Sequence, residues 1–297
     1  MEADVLGRRA AVGVPGVRKR RVAFWRRLLT VFAYVIVLFL FGIYILPLLW
    51  IVLTSIKPQE LIIVHPSEAL AFVPTLDHYV RLVTEWHFLT PLLNSFIVSG
   101  ATTVLNLILG VLASFALVRY RLRGGDFVSL WILSQRFMPA VAILLPLYIF
   151  YNTFGLIDTY LGMVLVNTVA TLPFSIWMLR GFFQDLPKEL YDQAEVDGCD
   201  DIGILRHVIL PIGRAAMGVT AVFAFLFSFN ELMIPLVISR TSTETVPVAF
   251  SGFKMQFQTD WGAAAAATVV TVLPLFIVVA LLQENIIRGL SMGAVKE

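Results

Sequence analysis

Charge is scarce in this chain. Of its 297 residues, 14% are Asp, Glu, Lys or Arg, against about 25% in ordinary soluble domains. A water-facing surface cannot be built from so few charges, so a soluble fold is excluded. Cysteine is scarcer still. Cys199 stands alone, which excludes a disulfide framework and a zinc site built on several thiolates. The four histidines, His65, His78, His87 and His207, show no His-Glu-x-x-His spacing. No Gly-Lys dipeptide occurs anywhere, and the phosphate-cradling loop of an ATPase requires one. The chain therefore has no means of its own to hydrolyse ATP.

Apolar residues are abundant, at 59% of the chain and a mean hydropathy of +0.85. They fall in long runs. A helix crossing the hydrocarbon core needs about 20 such residues. Six segments qualify: near Leu28–Leu53, Leu92–Val118, Phe127–Tyr151, Tyr160–Arg180, Ala216–Ile238 and Ala263–Ile287. None shows the ten-residue alternation of a membrane barrel. The expected fold is an all-α membrane protein with six transmembrane helices.

Basic residues set the expected orientation. Arg8, Arg9, Arg18, Lys19, Arg20, Arg21, Arg26 and Arg27 precede the first run. A nucleic-acid arm is one reading of such a cluster. A juxtamembrane anchor is the better one, because an apolar run follows at once and basic flanks stay in the cytoplasm. A cleaved signal peptide is disfavoured by the length of that run. With the N-terminus inside, Arg119, Arg121, Arg123, Lys188, Arg206, Arg214, Arg288 and Lys296 also fall inside, while Lys57, Arg81, Arg240 and Lys254 fall outside. The bias is about fourfold and puts both termini in the cytoplasm. The organisation expected is a basic segment 1–27, a membrane domain 28–287 with a cytoplasmic loop 181–215, and a tail 288–297. Two outside loops are long, Thr54–Pro91 and Ser239–Gly262.

The inside loop is acidic, with Asp185, Glu189, Asp192, Glu195, Asp197, Asp200 and Asp201. Its sequence reads as ordered. Asp185 is a helix cap candidate, and Pro187 suits a first turn. Leu186, Leu190 and Ala194 recur at a spacing of four. Gly198 is placed to stop the helix in a left-handed conformation. Asp200 is placed to cap a second helix leading to Leu210 and Pro211. A short helix of this kind needs support from outside itself. Acidic side chains disfavour the anionic inner leaflet, so a protein groove is the expected partner.

Polar residues inside membrane segments are functional candidates by default. Arg136 falls near the middle of the third segment and Asn230-Glu231 in the outer third of the fifth. They either line a solute path or hold helices together by hydrogen bonds. By the 1.5 Å helical rise their depths differ by roughly 13 Å, which argues against an ion pair. Phe137, Trp131, Phe225, Phe227 and Phe229 lie near the same elements, and aromatic rings stack on apolar sugar faces. Pro139, Pro146, Pro173, Pro235 and Pro274 interrupt helices, as in many transporters.

The segment Asp192-Gln193-Ala194, then Gly198, then Val208-Ile209-Leu210-Pro211, resembles the EAA motif of binding-protein-dependent ABC importer permeases. That pattern reads Glu-Ala-Ala, three residues, Gly, nine residues, Ile-x-Leu-Pro, and the spacing here fits without a gap. Leu186-Pro187-Lys188-Glu189-Leu190 and Asp197-Gly198 fit as well. Asp192, Gln193, Val208 and Cys199 depart from the usual Glu, Ala, Ile and Ala. The likeness extends over nearly the whole chain and is greatest to maltose-type carbohydrate permeases. It is carried by Thr54-Ser55-Ile56-Lys57-Pro58, Leu76-Asp77-His78-Tyr79, Asn94-Ser95, Arg136-Phe137-Met138-Pro139, Phe229-Asn230-Glu231 and the Gly289-Leu290 and Gly293–Lys296 ending.

The resemblance implies a type I ABC importer permease fold. It implies a second, homologous permease, two ATPase subunits and an external solute-binding protein as partners, in membrane lipid and without nucleic acid. No cofactor is then bound by this chain, and ATP and Mg sit on the ATPase subunits. The implied coupling loop carries Leu190, Asp192, Gln193, Ala194, Asp197, Gly198, Leu210 and Pro211. Candidates for the solute path are Arg136, Phe137, Asn94, Asn230 and Glu231. A stand-alone secondary transporter would show internal repeats, and none is evident. A membrane enzyme using Asp197, Asp200 and Asp201 as a metal site lacks the paired acidic clusters that such chemistry needs.

Overall fold

The computed structural model describes residues 15–63, 71–120, 124–253 and 260–294, with side chains described between residues 27 and 277 of these. The basic side chains before Arg27, Arg121, Arg123, Lys254 and the tail from Arg288 lie outside the described set. Two compact units follow from the contacts, Met1–Leu53 and Thr54–Glu297. Every regular element among the described residues is helical.

The first unit is most of one helix, α1 (Pro15–Ser55), 41 residues long. At 1.5 Å per residue it extends about 60 Å, twice a hydrocarbon core. Its apolar stretch runs from Arg27 to Ser55. Pro47 lies inside it.

In the second unit a 3-10 turn Gln59–Leu61 precedes α2 (Asp77–Thr84), which is followed by the long α3 (Leu89–Arg119). Next come α4 (Gly125–Ser134), a 3-10 turn Gln135–Phe137 and α5 (Ala140–Thr153). The next long helix is α6 (Tyr160–Gln184). A cluster of short pieces, α7 (Lys188–Val196), α8 (Asp201–Ile204), a π-turn Leu205–Ile209 and α9 (Leu210–Ile212), leads to α10 (Arg214–Phe229). The chain ends with α11 (Met233–Ile238), α12 (Val246–Gly252) and α13 (Trp261–Ala294).

Each of the six apolar segments coincides with helix, but two of them are not single rods. The third is bent by 87° between Phe137 and Ala140. Met138 before Pro139 is extended, at φ −68° and ψ 128°, as a residue preceding proline prefers. The fifth ends at Phe229 and resumes as α11, where Pro235 occupies the first turn that tolerates it. By length and composition three helices can cross a membrane: Arg27–Ser55, Leu89–Arg119 and Tyr160–Gln184. The number reaches five if Gly125–Phe137 with Ala140–Thr153, and Asp201–Ile212 with Arg214–Phe229, are each one bent span, and Trp261–Ile277 is a shorter apolar stretch.

The centre of the second unit is α3 packed along α6, with α10 against both and α13 against α10. Close approach of α3 and α6 depends on Gly110. A Cβ there would stand 3.3 Å from Leu179 Cδ1 and 3.5 Å from Ser175 Cβ. Small polar side chains join the pair, as is usual where lipid supplies no hydrophobic driving force. Ser114 Oγ donates to the Ile176 carbonyl at 2.9 Å, and Asn106 Nδ2 to Thr171 Oγ1 at 2.6 Å.

One end of this bundle is closed by α2 and α12. His78 Nε2 lies 2.8 Å from the Lys57 carbonyl, and its ring covers Gly262, where any side chain would overlap it. Arg81 pairs with Asp260 at 2.9 Å, and Asp260 also accepts from Ala263 N at 3.0 Å, capping α13.

Candidate functional site

At the opposite end of the bundle, the segment after α6 folds back on the helix ends. Asp185 ends α6, and α7 starts at Lys188, with Pro187 ahead of it in an extended conformation. Gly198 has φ +81° and stops α7 in the left-handed form expected of it. Cys199 N then reaches back to the Ala194 carbonyl at 2.9 Å. Asp200 is extended and its Oδ1 accepts from Gly203 N at 2.8 Å, so it caps α8. Pro211 follows a π-turn, and a 78° bend at Gly213 turns the chain into α10.

This loop has two faces of different chemistry. The inner face is Tyr191, Ala194, Ile204 and Ile209, buried on Val111, Phe115, Leu179, Phe183 and Ala216, with Leu186, Cys199, Leu205, Val208 and Leu210 packed around them. The Leu186–Ala194 stripe, expected to seek a partner's groove, is thus occupied within the chain; Leu190 is half-buried. The outer face presents Asp192, Gln193, Glu195, Asp197, Gly198 and Pro211. Val196 at 88% exposure and Ile202 at 73% are large apolar residues left uncovered there. Gly198 also opens outward, since a Cβ would meet nothing within 4 Å.

An ionic clamp ties the loop to α3. Arg119 Nε donates to Asp201 Oδ1 at 2.9 Å, and its other arm pairs with Glu195. Tyr120 Oη donates to Asp201 Oδ2 at 2.6 Å. The Tyr120 hydroxyl first, then the Arg119 guanidinium, hold the Asp201 carboxyl below its ordinary range. Arg180 pairs with Asp126, joining α6 to α4. A cavity of about 640 Å³ lies behind α7, lined in part by Arg119, Gly125, Arg180, Phe183, Tyr191 and Asp192. Arg119 was visible in the sequence only as an inside charge; nothing local links it to acids more than 70 positions away.

The five path candidates separate. Asn94 is 1% exposed. Its amide donates to the Ser242 and Glu244 carbonyls at 3.1 and 2.8 Å, and its oxygen accepts from Tyr160 Oη at 2.6 Å. Asn230 Nδ2 donates to the Leu226 carbonyl of its own helix at 2.8 Å. Glu231 Oε1 accepts from Met233 N and Ile234 N at 3.0 and 3.4 Å, capping α11. Phe137 is 81% exposed. Arg136 is not inside a continuous helix but on the 3-10 turn at the bend. Its guanidinium stands 4.1 Å from the Phe227 ring centre and 5.9 Å from that of Phe174. Nη1 donates to the Ala170 carbonyl at 3.1 Å. Arg136 and Glu231 are not among the ion pairs of the described residues.

A second unforeseen device lies at the far end of the bundle. Asp158, at φ +56°, accepts from Arg240 N at 2.8 Å, Ser242 N at 3.1 Å, Thr243 N at 2.9 Å and Thr243 Oγ1 at 2.8 Å. Desolvation opposes its charge, but the Thr243 hydroxyl and the three amides outweigh it and keep its carboxyl below the ordinary range. Ser95 Oγ accepts from Val246 N at 2.8 Å. Together with Asn94, these groups fix the path of residues 239–246.

Comparison with known proteins agrees with this geometry. Residues 106–292 match the family described as binding-protein-dependent transport system inner membrane component. The diacetylchitobiose uptake system permease protein DasC of Streptomyces coelicolor is 31% identical, covering 85% of this chain and 92% of that protein. The trehalose/maltose transport system permease protein MalG of Thermococcus litoralis is 30% identical, covering 84% of this chain and 91% of that protein. A chain in the crystal structure of a bacterial ABC transporter that imports the acidic polysaccharide alginate superposes with a TM-score of 0.72 at 19% identity, over 88% of this chain and 97% of that one. With the family model matched over residues 106–292 and relatives matched over most of the chain, the chain belongs to the binding-protein-dependent transport inner membrane component family and is a multi-pass permease subunit of an ABC transporter.

Proposed function

We propose that this permease imports a sugar or polyol-like solute and is driven through the loop 181–215 by separate ATPase subunits. It forms the translocation path with a second, homologous permease and receives solute from an external binding protein. In this reading six spans cross the cell membrane with both termini cytoplasmic, and ATP and Mg are held by two ATPase subunits. The sugar class rests on the names of the relatives, which handle trehalose, maltose and diacetylchitobiose.

One observation carries the coupling role. The segment Asp192–Pro211 is a rigid, two-faced body: its inner side is keyed into the ends of α3, α6 and α10, and its outer side is acidic with uncovered Val196 and Ile202. A force applied to the outer face passes directly to three helices of the bundle.

Gly198→Leu is the test. The left-handed backbone strains any L-residue by about 1–2 kcal/mol, and the new side chain projects outward into the partner's space rather than into this chain. Solute-stimulated ATPase activity of the purified complex is expected to fall at least tenfold, with all subunits still copurifying. Unchanged stimulation would remove the loop from the coupling path.

A further inference from the structure

We propose that Phe174, Trp177, Phe223 and Phe227, headed by Arg136, form a stacking track for pyranose rings on the half of the path nearest the coupling loop. The proposal rests on the sugar-importer reading above and adds a site to it.

The rings form one connected ladder between α6 and α10. Phe174 and Phe227 meet edge to face at 5.2 Å between centres, and Phe174 and Phe223 at 5.6 Å. Phe223 lies 5.9 Å from Phe227, and Trp177 lies 6.1 Å from Phe174. The spacings 174/177 and 223/227 put each pair on a single helix face. From Phe227 and Phe174 the ladder descends toward the end where α6 leaves for the loop and α10 returns from it. At the 1.5 Å rise, the step from Phe227 to Phe223 is about 6 Å.

Two features separate this face from an ordinary core or lipid-facing stripe. First, the ladder is not filled in: Phe174 and Phe227 are half-buried, while Phe223 and Trp177, the latter at 45% exposure, are open. Second, it is headed by a charge. A guanidinium within a membrane segment persists where it faces a partner or a water-filled cavity, not lipid. Phe227 and Phe174 attract it through their ring faces, and Ala170 accepts from one of its five N–H groups. Among the described residues no other hydrogen bond to the guanidinium occurs, so the remaining donors are available to hydroxyl oxygens. A pyranose presents both needs at once: an apolar C–H face for a ring and equatorial hydroxyls for a planar donor. Arg136 sits at the 87° bend, where a broken span borders a pathway in other transporters.

The test uses the complete complex in nanodiscs with Cys199→Ser as background. Trp177→Cys and Phe223→Cys are each treated with a charged, membrane-impermeant methanethiosulfonate. Both are expected to label. Failure of the charged reagent to react would set the rings against lipid or under the sister permease, where the thiolate does not form, and overturn the proposal. Uptake of maltose, trehalose and diacetylchitobiose into proteoliposomes is then compared. Phe227→Leu and Trp177→Leu are expected to lower uptake kcat/KM at least tenfold, while Phe227→Trp and Trp177→Phe stay within threefold. Leucine variants equal to the parent would overturn stacking, because leucine keeps an apolar side chain and lacks the ring face. If the parent complex takes up none of the three sugars, the sugar reading fails and pyranose stacking with it; labelling then still reports whether this face is wet.

Discussion

The two ends of the bundle are built on different principles. At the end that carries the loop 181–215, Asp192–Pro211 is held by buried apolar side chains and by an exposed ionic clamp, Arg119 with Glu195 and Asp201. At the other end, residues 239–246 are held largely by hydrogen bonds: Asp158 and Ser95 accept from backbone amides and the Thr243 hydroxyl, and Asn94 donates to two carbonyls, with Val246 buried beside them. An apolar inner face lets a segment move as one body with the helices beneath it. A mainly backbone-directed network fixes the course of a chain with few demands on its side chains, here chiefly the Thr243 hydroxyl. The first suits force transmission and the second suits a fixed rim.

Asn94→Ala is expected to be the most damaging change at the rim. Three hydrogen bonds of a buried side chain disappear, at roughly 1 kcal/mol each, about 3 kcal/mol in all. Thermal unfolding of the detergent-solubilised complex measures this, and limited proteolysis between 239 and 246 localises it. A loss below 1 kcal/mol would mean that the rim holds without its central amide.

Arg119→Gln sharpens the contrast. Its partners are 38–47% exposed, so screening limits each pair to about 0–1 kcal/mol, and stability should fall by about 1 kcal/mol. ATPase stimulation by solute should fall more than stability does, because the clamp joins the loop to α3. Equal, small losses in both would make the clamp merely structural.

Acid is expected to have the smallest effect near neutrality and to act on both ends. Asp158 and Asp201 are held below the ordinary carboxylate range. Their contribution is therefore complete above about pH 4 and is lost as the pH falls through their lower folded values. Asp158→Asn should flatten the acid limb of a stability-versus-pH curve. A curve unchanged by that substitution would show that the rim does not depend on the Asp158 charge.

What could be read from the sequence was local. The apolar runs fall on helix, though only three to five spans follow by length and composition, and Gly198 and Asp200 marked a stop and a cap that the fold realises. Prolines flagged interruptions, but Pro139 by itself does not specify an 87° bend; that depends on the 3-10 turn before it. The contacts that assign roles to polar residues were out of reach. Asn94 looks like a path residue until its partners, about 150 positions away, are known. Arg119 and Asp158 carried no local signal, since their partners lie 76–85 positions away. The Leu186–Ala194 stripe was correctly apolar but misassigned, because its periodicity does not reveal whether this chain or another covers it.

That reassignment yields the most direct test of the account. In the Cys199→Ser background, Val196→Cys, Ile202→Cys and Ala194→Cys are each treated with a short thiol-to-amine cross-linker in the complete complex. The outer-face residues Val196 and Ile202 are expected to cross-link to the ATPase subunit, and Ala194 is not. Cross-linking from Ala194 with none from Val196 or Ile202 would contradict the two-faced loop and the coupling role built on it.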